Sequence, residues 1–169
     1  MKIKIFALTH KKFEVPQDKM YQPLQVGREE KEDLGYLCDN TGDNISAENC
    51  YYSELTGLYW IWKNVHTYKY VGTCHYRRYL LNEQEKIFTE AEYLELLKDY
   101  DLITTKRVVL NNSYHYGFAT NHNIHALDMT GEVIKELYPE YYDTFVQLVN
   151  GTETYFGNMI VTSKKWFDT

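Results

Sequence analysis

Basic residues are the minority charge in this chain: 18 Lys and Arg against 24 Asp and Glu leave a formal net charge of −6 over 169 residues. A general nucleic-acid binder needs a broad basic face to displace counterions, so that class is excluded, while a local basic pocket for a phosphorylated small molecule is not. Cysteine is scarce as well. Cys38, Cys50 and Cys74 have no CxxC spacing and cannot all pair, which excludes a disulfide scaffold and points to reduced cytoplasmic thiols. No apolar run approaches the roughly 20 residues of a membrane span. Met1-Lys2-Ile3-Lys4 leads straight into a strand-like run with no signal peptide. The expectation is a soluble, cytoplasmic protein whose membrane contact is at most peripheral, at the inner face.

Several motifs are also missing. There is no GxGxxG, Walker loop, GxSxG or HExxH, which removes Rossmann dehydrogenases, P-loop kinases, α/β-hydrolases and zincins at the level of motif. No internal repeat, low-complexity tract or domain boundary is visible, so residues 1–169 read as a single domain long enough to bury a core. Aromatics, by contrast, are plentiful at 16%, with 17 Tyr. Tyrosine joins an apolar ring to a polar tip and suits clefts that handle sugars and bases.

Apolar periodicity alternates between the two secondary-structure types. Lys2 to Leu8 reads as a strand ending in Thr9-His10-Lys11-Lys12, and a short strand is expected at Tyr21–Val26. Asn49 or Ser53 can cap one helix through about Lys63, with Leu55, Leu58, Tyr59 and Trp62 on a 3.6-residue period. Lys69–Cys74 is a core strand, Thr89 caps a helix over Glu90–Lys98, and Asp101–Thr104 is a short strand. Residues 106–124 show no period; helices follow at Ala126–Leu137 and Glu140–Asn150, then a strand at Tyr155–Thr162 and a helix begun by Ser163. Strands alternating with helices predict an α/β/α sandwich around a mainly parallel sheet.

The richest chemistry lies where the Lys69–Cys74 run empties into His75-Tyr76-Arg77-Arg78-Tyr79. Binding groups in α/β enzymes sit outside the carboxyl ends of strands, and guanidinium forks match phosphate oxygens. Continued alternation would turn His75, Arg77 and Tyr79 to one face and Tyr76 and Arg78 to the other, with His75 and Arg77 favoured inward. Asp39-Asn40-Thr41-Gly42-Asp43-Asn44-Ile45-Ser46 is a dense turn cluster that reads equally as a sugar- or anion-binding concavity and as a capping turn. His115, His122 and His125 with Asp128 lack converging zinc-ligand spacing, so no metal site is assigned. Asn158, beside Gly157, offers a donor and an acceptor to a hydroxylated ligand.

Taken in order, Asp39–Ser46, Glu54-Leu55-Thr56-Gly57-Leu58-Tyr59-Trp60, Trp62-Lys63-Asn64, His75–Tyr79 and Asn158-Met159 resemble a bacterial family first catalogued as a domain of unknown function. It is found in capsule, exopolysaccharide and O-antigen gene clusters, and its members look like GT-A-type glycosyltransferases. The resemblance implies a GT-A-like fold, a UDP-sugar donor, a lipid-linked oligosaccharide or polysaccharide acceptor, and no nucleic-acid partner. It is linked to galactose transfer, pyranose or furanose. By the same resemblance Thr9 and His10 line the uridine pocket, and Asp39, Asn40, Asp43, Asn44, Ser46 and Glu54 stand by the ribose and donor sugar. Asn158 would touch a sugar, and Asp128 would be the acceptor base, with His122 and His125 as rivals. GT-A enzymes often carry Asp-x-Asp for Mn²⁺ or Mg²⁺ where this chain has His75-Tyr76-Arg77. Arg77 and Arg78 would then neutralise the departing diphosphate directly, so that a metal cofactor is not favoured. The family pattern continues with further helices beyond the position of Thr169, so the chain is expected to be truncated. The rivals are a non-catalytic nucleotide- or sugar-binding domain and a nucleotidyltransferase.

Overall fold

The structure, a computed structural model, describes residues 2–169. In chain order the elements are β1 (Ile3–Thr9), β2 (Tyr21–Gln25), β3 (Leu37–Cys38), α1 (Asn49–Tyr52), α2 (Leu55–Asn64), β4 (Tyr70–His75), α3 (Glu90–Leu96) and β5 (Leu102–Thr104). They continue with β6 (Val108–Val109), α4 (Tyr114–Asn121), α5 (Ile124–Leu137), α6 (Tyr142–Asn150), β7 (Glu153–Thr154), β8 (Ile160–Ser163) and α7 (Lys164–Phe167). The chain divides into two compact units, one running to Thr104 and including Asn158–Thr169, the other Thr105–Gly157.

In the first unit, β1 is the central strand because both of its faces are apolar. Ile3, Ile5 and Ala7 join a cluster with Met20, Tyr93, Leu97 and Val161 on the α3 side. Phe6 and Leu8 point the other way, into a cluster with Trp60, Ile61, Val65 and Val71 on the α2 side. Two-sided burial is what a parallel sheet covered by helices requires. The sheet order is β3-β2-β1-β4-β8-β5. Strands β3, β2, β1 and β4 pair in parallel, while β8 runs antiparallel to both β4 and β5. This is the mixed, mainly parallel α/β class expected from the sequence.

Local chemistry explains most boundaries. Thr89 and Glu92 form a reciprocal capping box that starts α3. Ser163 accepts a hydrogen bond from the Trp166 N–H (3.2 Å) and starts α7. Of the two starts offered for the helix through Lys63, the one at Ser53 agrees with α2, while Asn49–Tyr52 forms a separate short α1 ended by Ser53 at φ 50°; two other expectations change. The strand expected over Tyr155–Thr162 shrinks to β8, with Gly157 at φ 87° ahead of it and Tyr155 and Phe156 exposed. The stretch without periodicity forms β6 and α4, the latter capped by Ser113 accepting from the Tyr116 N–H (3.2 Å).

The second unit is helical. α4, α5 and α6 surround Leu127, Gly131 and Val149, and β6 pairs with β7 antiparallel at Val108–Thr154. A Cβ on Gly131 would come within 2.9 Å of the Phe145 ring, so α5 and α6 approach closely there. No helix among the described residues is long and apolar enough to cross a membrane.

Candidate active site

Strand order decides where a ligand can enter the first unit. From β1 the chain steps outward through β2 and β3, then returns to place β4 on the other side of β1. That reversal opens a crevice at the carboxyl ends of β1 and β4, the usual ligand position in open α/β sheets. A cleft of about 260 Å³ lies there, lined by Thr9 and His10 after β1, His75 and Tyr76 after β4, Ser53 and Glu54 before α2, and Lys31.

The strand-end side chains do not alternate as expected. His75 and Arg78 exchange backbone hydrogen bonds (3.1 and 2.9 Å), folding His75–Arg78 into a tight turn, and the Tyr76 N–H donates to the Leu8 carbonyl (3.1 Å). The turn brings His75 and Tyr76 together on the cleft, where alternation had separated them. Arg77 stacks on the Tyr76 ring at 4.8 Å, and His10 meets the same ring edge-on at 5.3 Å. Among the described residues neither Arg77 nor Arg78 has an acidic partner. Burial holds His10 below the ordinary histidine value, helped by Lys11, Lys31 and Arg77.

Glu54 lines the same cleft. Its Oε1 accepts from the Asn158 amide (2.9 Å), although 104 residues separate the two in sequence. The Asn158 carbonyl in turn accepts from the Thr73 hydroxyl (2.6 Å), which fixes the segment entering β8 against β4. Burial works to raise the Glu54 carboxyl, but its own backbone N–H, Ser53, His75 and Asn158 outweigh that and bring it below the usual glutamate value. Burial lowers His75, with Arg78 adding to the effect and Glu54 opposing it. The cleft therefore sets the Glu54 carboxylate beside Lys31, while Arg77 and Arg78 are exposed outside its lining, so Arg77 does not turn inward as alternation had favoured.

The acidic loop has a different job from the one expected. Asp39 is fully buried, and its carboxylate accepts from the Gly27 N–H (2.8 Å), the Arg28 N–H (3.1 Å), the Ser46 hydroxyl (2.6 Å) and the Thr56 hydroxyl (2.7 Å). With no free face it cannot meet a donor sugar, and Ser46 is buried against it. Asn44 closes a turn onto the Ser46 N–H (3.1 Å), Asn40 donates to Glu29 (3.2 Å), and Asp43 takes the Tyr59 hydroxyl (3.1 Å). Asp39 and Ser46 are thus structural, although no side chain of the loop caps the helices that follow it. The Thr9 side chain is also occupied, bonded to the Lys11 carbonyl (2.6 Å).

Asp128 lies in the second unit on α5, 3.6 Å from His115 Nε2. His122 is the carboxyl-terminal cap of α4 and His125 is exposed in the first turn of α5. Sequence reasoning missed Lys31 as a cleft residue, since a lysine inside the run from Arg28 to Asp33 looks like solvated charge. Ser53 in the left-handed region left no signal at all.

Mg²⁺ held against a diphosphate takes one or two carboxylates together with the substrate's phosphate oxygens. The cleft offers Glu54, already bonded to Asn158, and the described residues gather no group of three or more His, Cys, Asp or Glu able to hold a metal ion.

A GT-A-like α/β sheet with a polar cleft at its switch point is the class that the fold and site define. More particularly, a family model described as "Domain of unknown function (DUF4422)" matches residues 4–169, and the chain belongs to that family. It is similar to a solved structure titled "WbbM bifunctional glycosytransferase apo structure", with 29% identity and a TM-score of 0.86. The likeness covers 99% of this chain and 35% of the other, so the chain spans about a third of that protein. No curated protein matches it.

Proposed function

We propose that the chain is the donor-binding part of a glycosyltransferase that moves a hexose from a UDP-sugar to a growing bacterial surface polysaccharide. The observation that carries this reading is the cleft at the crevice between β1 and β4, lined by Lys31 and Glu54 with Arg77 stacked on its Tyr76, in a chain 29% identical to a glycosyltransferase over nearly its whole length. Arg77 and Lys31 bind the diphosphate, and Glu54 with Asn158 takes hydroxyls of the ribose or donor sugar. In the transfer, the bond between the anomeric carbon and the phosphate oxygen breaks as the acceptor oxygen forms the new glycosidic bond. Arg77, with Arg78 beside it, stabilises the leaving UDP without a metal. Asp128 takes the acceptor hydroxyl's proton. Galactose is the first donor to test. The acceptor is a lipid-linked saccharide met peripherally at the inner membrane face.

Calorimetric titration of UDP in EDTA and again with Mn²⁺ tests the reading. Binding should survive EDTA, and Arg77→Ala should weaken it by about tenfold through loss of one charge-assisted contact. No binding in either buffer, or an Arg77→Ala variant that binds UDP as before, rejects the cleft as a diphosphate site.

A further inference from the structure

The second unit carries a cavity of its own. It holds about 480 Å³ and is lined by Leu110, Tyr114, Gly117, Phe118, Asn121, His122 and Phe156. Three of its rings form a stepped series along one face of α4, at i, i+4 and i+8. The Tyr114 and Phe118 centroids lie 6.3 Å apart with planes tilted by 38°, and those of Phe118 and His122 lie 4.8 Å apart, tilted by 42°. Phe156 stands exposed at the same cavity. Opposite faces of α4 differ, since Tyr116 is exposed away from it.

The polar atoms at this site are few and available. Asn121 uses its Nδ2 on the Gly117 carbonyl (2.9 Å) and the Thr120 hydroxyl (3.0 Å), which points its Oδ1 onward with no partner among the described residues. Neither the Tyr114 hydroxyl nor the His122 ring nitrogens have a hydrogen-bond partner there. No Lys, Arg, Asp or Glu lines the cavity. That charge pattern leaves a phosphate or an anionic lipid headgroup without a counter-ion. A hydrocarbon chain would strand a hydroxyl, an amide oxygen and an imidazole against apolar surface. An uncharged ring with an apolar face and hydroxyl edges satisfies both the ring ladder and the three polar atoms.

From this lining we propose that the second unit carries a binding site for a neutral saccharide, seated on Tyr114, Phe118 and Phe156 and hydrogen-bonded by Asn121 and His122. Saccharide binding follows from the lining alone; naming that saccharide as the acceptor rests on the glycosyltransferase reading.

Gly117 supplies a clean test. A Cβ built there meets no atom within 4 Å, so the side chain of Gly117→Leu starts into open space at a cavity-lining position and raises helix propensity. The probes are methyl pyranosides of glucose, galactose and mannose and methyl galactofuranoside, followed by saturation-transfer NMR on the whole chain. Ring protons of at least one glycoside should receive saturation. Gly117→Leu should abolish it or weaken binding by about tenfold or more, with a melting temperature no lower than the parent's, and Tyr116→Ala should leave it intact. No saturation from any glycoside overturns the proposal, as does a Gly117→Leu chain that binds unchanged. Octyl glucoside saturated on its alkyl protons and not on its sugar also overturns it, in favour of a lipid chain. UDP titrated into the same samples separates the two claims: UDP failing while glycosides bind removes the cleft reading, and the reverse removes only this site.

Discussion

Replacing Asp39 with Asn distinguishes a residue that holds the fold from one that touches a donor. The carboxylate accepts four hydrogen bonds, two on each oxygen, at 0% exposure. An amide of the same shape keeps one accepting oxygen and turns an NH₂ toward two donors. The Thr56 hydroxyl has another acceptor in the Ser53 carbonyl at 3.2 Å, so part of the loss is recovered. The Gly27 and Arg28 N–H groups sit in fixed backbone, and one of them is left facing a donor. A hydrogen bond to a charged group contributes about 1.5–3 kcal/mol, and an unsatisfied buried donor costs a comparable amount, so the net loss is about 3 kcal/mol. For a chain of this size that lowers the melting temperature by roughly 6–12 °C. Trp60, Trp62 and Trp166 all belong to the first unit, so a tryptophan-fluorescence melt reports on the affected unit. UDP affinity, measured well below the variant's melting point, should match the parent. A variant that melts like the parent yet loses UDP would refute the structural assignment and restore Asp39 to the ligand site.

The remaining expectations concern register, pH and the acceptor base. A Cβ at Gly72 would lie 2.7 Å from the Ile160 carbonyl oxygen and 3.2 Å from the Val161 Cα, and backbone cannot yield. Gly72→Ala should therefore destabilise the first unit by about 2–3 kcal/mol in a urea titration, and an unchanged midpoint would show that β4 and β8 are not packed this tightly. Burial, the largest cause, depresses His75 in the folded state from 6.5, with Arg78 adding and Glu54 opposing. Its stabilising share is complete above the unfolded value and is lost as pH falls through the lower folded one. His75→Gln should flatten the decline in melting temperature below pH 6.5, and an identical slope would remove His75 as its source. Asp128→Asn should spare UDP binding and abolish hexose transfer in a radiolabel assay; retained transfer would exclude Asp128 as the base.

By itself the sequence determined the layers of the first unit. Apolar, β-rich runs at β1 and β4, the Thr89–Glu92 capping pair and Ser163 ahead of α7 are local signals, written within a few residues of the structure they produce. Charge pattern likewise placed arginines at the carboxyl end of β4. What only tertiary structure decided is which polar residues remain free to act. Asp39 reads as a ligand until Gly27, Arg28, Ser46 and Thr56 converge on it, and Glu54 reads as a helix start until Asn158 reaches it from the far end of the chain. Lys31 becomes a cleft residue only because the strand order opens a crevice at β1. Hydrogen-bond satisfaction of a buried group is non-local: its partners come from distant segments, and no spacing or period in the chain records them.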